Sequence, residues 1–120
     1  MITTVTLNPA VDRVYVVPSL ELGHIARPLM SSVSGGGKGI NVSRAIHRLG
    51  GSTEAIALLA GTSGDWIADS ITHEGIKLHR LDCAGESRTC IAIMDMSNGL
   101  QTELNEHGPT IGVDDLDILL

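Results

Sequence analysis

The chain of 120 residues is long enough for one domain or part of one. Its net charge of −6 excludes a basic nucleic-acid footprint, and no apolar run is long enough to span a bilayer, so neither nucleic acid nor membrane is expected as a partner. Hydrophobic residues make up 42% but aromatics only 2%, so the core has to be built from Val, Ile, Leu, Ala and Met, a composition suited to buried strands alternating with helices. The opening residues, Met1 to Val5, lack a basic region followed by an apolar stretch, and Cys83 and Cys90 form no CxxC pair. The expectation is a cytoplasmic protein with reduced thiols.

Residues 2–7 are β-branched and read as a strand ending at the turn signal Asn8-Pro9. Residues 13–17 form a second strand candidate, and a third lies within 26–33, where Pro28 confines it to an edge or a strand start. The period then changes. Val42, Ala45, Ile46 and Leu49 recur at helical spacing, which predicts a helix from about Asn41 with these residues as its apolar face and Gly50-Gly51 as its stop. The continuous apolar run 55–60 fits a strand buried on both faces. Residues 61–64 read as a turn into a second helix carrying Ile67, Ser70 and Ile71 on one side. Residues 76–81 alternate weakly, 89–96 form a firmer strand, and Asn98-Gly99 marks a hairpin with 101–105 as its return. The tail from Asp114 to Leu120 looks like the start of another helix. The order indicates an α/β sheet with an antiparallel flap, the front part of a larger fold.

The glycine-rich stretch Gly35 to Gly39 admits three chemical readings. A Walker A loop requires Gly five positions before the Gly-Lys pair and Ser or Thr after it; here Ser32 and Gly39 stand in those places. A dinucleotide fingerprint requires a third glycine after Gly37 and Gly39, and Val42 occupies that position. The third reading is physical. Consecutive glycines let the backbone approach a ligand, the following helix directs its positive end there, Lys38 adds a charge and Asn41 an amide. That combination suits a small anionic, hydroxylated molecule, while a plain flexible loop with Asn41 as helix cap accounts for the same residues.

The stretch GGGKGINVSRAIHRLG (residues 35–50) resembles the N-terminal signature of the phosphofructokinase B family of ribokinase-like carbohydrate kinases. TLNPAVDRVY (6–15), ESRTCIAI (86–93) and TELNEHGP (102–109) resemble further blocks of that family in the same order. Within the family, these blocks resemble the branch of the fructose-1-phosphate and tagatose-6-phosphate kinases. The resemblance implies an α/β ribokinase-like αβα sandwich with an antiparallel β lid, of which residues 1–120 form the N-terminal portion and 13–33 and 76–106 the lid segments. It implies ATP- and Mg2+-dependent phosphorylation of a sugar phosphate, fructose 1-phosphate first, with fructose 6-phosphate and tagatose 6-phosphate as alternatives.

By the same resemblance Asp12 binds sugar hydroxyls, Gly36, Gly37, Lys38 and Asn41 hold the sugar and its phosphate, and Arg88 reaches the phosphate from the lid. Cys90 stands where Asn is frequent and His107 where Pro is common, and His24 falls near a position that is basic in some relatives. His47, His73 and His79 read as surface residues. The family's catalytic Asp lies in a Gly-x-Gly-Asp block, which this sequence does not contain; Gly61-Thr-Ser-Gly-Asp65 has a different order, and Asp65 reads as a first-turn helix acid. The expectation is therefore a sugar-binding half whose nucleotide and Mg2+ sites lie elsewhere, and which either acts within a kinase or only binds sugar phosphate. A homodimer through the β lid is implied as well.

Overall fold

The computed structural model describes residues 1–118. The elements in chain order are β1 (Ile2–Thr6), β2 (Ala10–Val17), β3 (Met30–Gly36), α1 (Lys38–Arg48), β4 (Thr53–Leu59), α2 (Gly61–His73), β5 (Lys77–Asp82), β6 (Arg88–Asp95), β7 (Gln101–Asn105) and α3 (Val113–Asp117). They build two sheets, one of three strands in the order β1-β4-β5 and one of four in the order β3-β2-β6-β7. Every pair in the first sheet is parallel. In the second, two antiparallel pairs flank the parallel pair β2·β6, so the flap read as antiparallel is mixed at its centre. The expected helix at 114–120 is seen as α3; residues 119 and 120 lie outside the described residues.

The core forms on one face of the parallel sheet. Thr4, Thr6, Ala55, Ala57 and Leu59 alternate onto that face, and α1 and α2 cover it. Ile40, Ala55, Ala57, Leu59, Ile67 and Ile71 are all 0% exposed. Each large aliphatic side chain buried to that extent contributes about 1.5–3 kcal/mol. The two long helices thus form one layer of the αβα arrangement.

Four sequence expectations change here. Residues 77–82, assigned to the second lid segment, are β5 of the parallel sheet; Leu78 packs on the core beside Ala55, which draws the strand inward. The other strands of the expected lid segments lie in the four-stranded sheet, where β3 is an edge; it spans Met30–Gly36, so Pro28, inside the expected 26–33, precedes the strand and does not dictate its placement. The residues 61–64 read as a turn are the first turn of α2. Asp65 consequently sits a turn inside the helix and pairs with Arg80 at 2.7 Å.

The fourth change is the buried face of α1. Val42 is 49% and Leu49 87% exposed, whereas Ile40 and Ser43 are buried. The reason is the seating of the helix start. A Cβ on Gly39 would meet Thr6 Oγ1 at 2.5 Å and the Val5 carbonyl at 2.8 Å, so the helix lies directly against β1. That contact rotates Ser43 inward, where its hydroxyl sits 2.7 Å from Thr4 Oγ1 and 2.9 Å from Thr53 Oγ1. Thr53 spends its proton on the Ile2 carbonyl at 2.9 Å. Ser43 must then donate to Thr53 and accept from Thr4, which gives the buried hydroxyl chain a single direction.

Candidate functional site

The glycine run is not a loop. Gly35 and Gly36 are the last residues of β3, Gly37 alone intervenes, and Lys38 opens α1. Gly37 has φ 135, a conformation side-chain-bearing residues rarely adopt, and its Cβ would lie 2.6 Å from Thr6 Cγ2. No side chain of the helix's own segment caps this end. Thr6 on β1 does so instead, accepting from the Ile40 N–H at 3.1 Å. The N–H groups at the very start of α1 have no acceptor within the helix, and the positive end of the helix faces the junction of the two sheets.

A cleft of about 500 Å³ lies at that junction, between the start of α1 and the inner face of the mixed sheet. Asp12, Gly37, Lys38, Asn41 and Arg88, five of the six residues singled out from the sequence, line it. The sixth, Gly36, faces Asp12 from the neighbouring strand, and its missing side chain is the space that the Asp12 carboxylate fills. Asp12 is a strand residue, paired with Ser34 on one side and Cys90 on the other, and not part of the turn at Asn8-Pro9. That registry aims its carboxylate into the cleft, because residues of one parity share a face.

The electrostatics divide the cleft. Lys38 and Arg88 supply positive charge at the helix end, and Arg88 Nε also donates to the Asn8 carbonyl at 3.2 Å, which fixes the head group. Asp12 and Glu103 supply negative charge further along the strands, where Arg13 also lines the wall. Burial raises the Asp12 pKa above its ordinary value; Arg88 and Arg44 oppose that, and Glu103 reinforces it. An anion fits the cationic end and hydroxyl groups fit the carboxylate end. Cys90, also in the wall, is a free thiol whose pKa is raised, chiefly by burial. His24 is 70% exposed at its side chain and lines a separate loop cavity near Glu21, away from the cleft. His47, His73 and His79 are exposed.

Sequence reading missed Ser34, Gln101, Glu103 and Asn105 in the cleft wall, and Arg44 behind it. Strand alternation would have put Glu103 and Asn105 on one face with Gln101, but only the pairing of β7 to β6 says which face that is. Arg44 was accessible through its spacing, since residues three apart on a helix are neighbours and Asn41 is its partner.

Residues 6–117 match the model of the pfkB family carbohydrate kinases. The chain belongs to this family. It is similar, at 31% identity over 99% of its length and a TM-score of 0.91, to the crystal structure of a possible 1-phosphofructokinase from Thermotoga maritima. The phosphofructokinase-2 of Escherichia coli, solved in complex with fructose-6-phosphate, matches at 27% identity over 98% of the chain with a TM-score of 0.90. A proposed ribokinase from Agrobacterium tumefaciens, 16% identical with a TM-score of 0.76, shares the fold. The pfkB chain spans 39% of the length of each of the first two structures.

Proposed function

We propose that this pfkB-family chain supplies the sugar-phosphate site of an ATP-dependent kinase acting on a ketohexose phosphate, with fructose 1-phosphate as substrate. The observation that carries the reading is the convergence of Lys38, Arg88 and the α1 N-terminus on one end of a cleft whose other end holds Asp12. Lys38 and Arg88 bind the phosphate already on the sugar, Arg88 through its planar fork. Asp12 accepts hydrogen bonds from two neighbouring hydroxyls and so fixes the sugar's orientation. The Asn41 amide and the free N–H groups of the helix start complete the cradle. The mixed sheet acts as the lid that excludes water from the cleft.

The described residues assemble no ready Mg2+ site. Among the described residues no three acidic, His or Cys side chains gather to hold a metal ion. The Gly-x-Gly-Asp block that would furnish the base is not in the sequence. We therefore assign no phosphoryl-transfer role to these residues; the chain spans 39% of the length of the two phosphofructokinase structures. The outer face of the lid sheet exposes Val33 (42%) and Leu104 (68%), which suits pairing with the lid of a second copy.

Calorimetric titration of this chain with fructose 1-phosphate, fructose 6-phosphate and tagatose 6-phosphate, beside a coupled assay for ADP release, tests the reading. The expected result is binding, tightest for fructose 1-phosphate, with no turnover by residues 1–120 alone. Binding of none of the three defeats the assignment. Turnover by this chain alone defeats the division of labour.

A further inference from the structure

Arg44 is the most heavily bonded side chain near the cleft, yet it does not line it. Its Nε and Nη2 donate to the two oxygens of Glu74 at 2.8 and 2.9 Å, a bidentate pair. Nη2 also donates to the Gly35 carbonyl at 2.5 Å, and Nη1 donates to Asn41 Oδ1 at 2.9 Å. Its side chain is only 14% exposed. Four of the five guanidinium N–H donors are thereby engaged.

The geometry points to Arg44, locked by Glu74, as the positioning residue that sets the Asn41 side chain for ligand recognition. An unrestrained asparagine amide presents either its oxygen or its nitrogen. With Oδ1 held by Arg44, the Nδ2 amino group is the end left to face the cleft, so Asn41 serves as a donor. A donor suits a phosphate or a sugar oxygen. The second bond, to Gly35, ties the end of β3 to the same guanidinium, so strand and helix keep a fixed spacing on either side of Gly37. Glu74 lies at the C-terminal cap of α2, and through it α2 supports a cleft it does not touch. This inference rests on the sugar-phosphate reading above and names how that site is held.

Lysine at position 44 keeps the charge and loses the fork, so the Arg44→Lys variant isolates positioning from electrostatics. The expected result with fructose 1-phosphate as probe is a roughly tenfold weaker Kd for Arg44→Lys, shrinking to less than about twofold when the same change is made in an Asn41→Ala background. A loss of equal size in both backgrounds, or a Kd within about twofold of the parent chain in the first, overturns the proposal. Side-chain amide NMR supplies a readout that needs no ligand. The Asn41 NH2 pair is expected at shifts distinct from free asparagine in the parent chain and collapsed toward free values in Arg44→Lys and Glu74→Gln. Free-asparagine shifts in the parent overturn the positioning role even if sugar phosphate binds. Absence of binding by a parent chain that shows the held amide defeats the functional reading and leaves the geometry standing.

Discussion

Gly36→Ala is the sharpest perturbation available, because the space it invades belongs to one side chain. The three atoms nearest a Cβ built on Gly36 are all from the Asp12 carboxyl, the third of them at 3.5 Å. Gly36 is not among the positive-φ glycines, so alanine costs no backbone strain there. The substitution must therefore act by rotating Asp12 out of place. Under the proposed reading, each charge-assisted hydrogen bond from a sugar hydroxyl to Asp12 would be worth about 1.5–3 kcal/mol, so losing even one is expected to weaken sugar-phosphate affinity roughly tenfold or more. In an Asp12→Ala background the obstructing atoms are gone. Gly36→Ala is then expected to leave affinity where Asp12→Ala had put it, and to raise stability by about 0.4–1 kcal/mol by restricting the unfolded chain. Titration calorimetry and urea unfolding on the two single variants and the double variant measure both quantities. Parent-like affinity in Gly36→Ala, or a further stability loss in the double variant, refutes the reasoning.

Two more outcomes follow from the packing around α1. Ser43→Ala removes the middle of the hydroxyl chain and leaves the buried Thr4 hydroxyl without an acceptor; urea unfolding is expected to show a loss of about 1–3 kcal/mol, and Ser43→Thr a smaller one. Glu74 has its pKa lowered, first by the hydrogen bond from Arg44. A lowered folded-state value means the unfolded chain binds the proton more readily, so this stabilisation is complete above the ordinary glutamate range and is lost as pH falls through the lowered value. The stability difference between the parent and Glu74→Gln, followed by thermal unfolding against pH, is expected to be constant near neutrality and to shrink in acid. A difference that grows in acid contradicts the ion pair.

Much of this architecture was legible in the sequence because local chemistry and tertiary structure agree there. The apolar run of β4 and the Asn98-Gly99 turn are cases in which turn residues or burial dictate the local state. The α1 face was misread because periodicity reports where apolar residues fall, while the seating of this helix is decided by Gly39 against Thr6 and by three hydroxyls that carry no hydrophobic signal. β5 was placed in the lid for a similar reason: Lys77, His79 and Arg80 dilute the alternation of a strand whose inward residue is Leu78. The residues singled out by motif, Asp12, Gly37, Lys38, Asn41 and Arg88, line one cleft, with Gly36 beside Asp12. Glu103 and Asn105 were not legible because their placement depends on cross-strand registry, and of the two side-chain partners of Arg44 only Asn41 is near it in sequence, Glu74 being 30 positions away.

The parallel pairing of β2 with β6 also sets an order of events for the chain during synthesis. Asn8 and Arg88, hydrogen-bonded across that junction, are 80 residues apart. The sheet β1-β4-β5 has all its strands by Asp82, whereas the cleft wall requires β6 and β7 as far as Asn105. Closing so long a segment carries an entropic cost that no local contact offsets in advance. The cleft wall is therefore complete only once β6 and β7 are in place. Under the proposed reading, a sugar phosphate bound in the cleft would add its binding free energy to the long-range pairing of β2 with β6 and so act as a thermodynamic clasp on it.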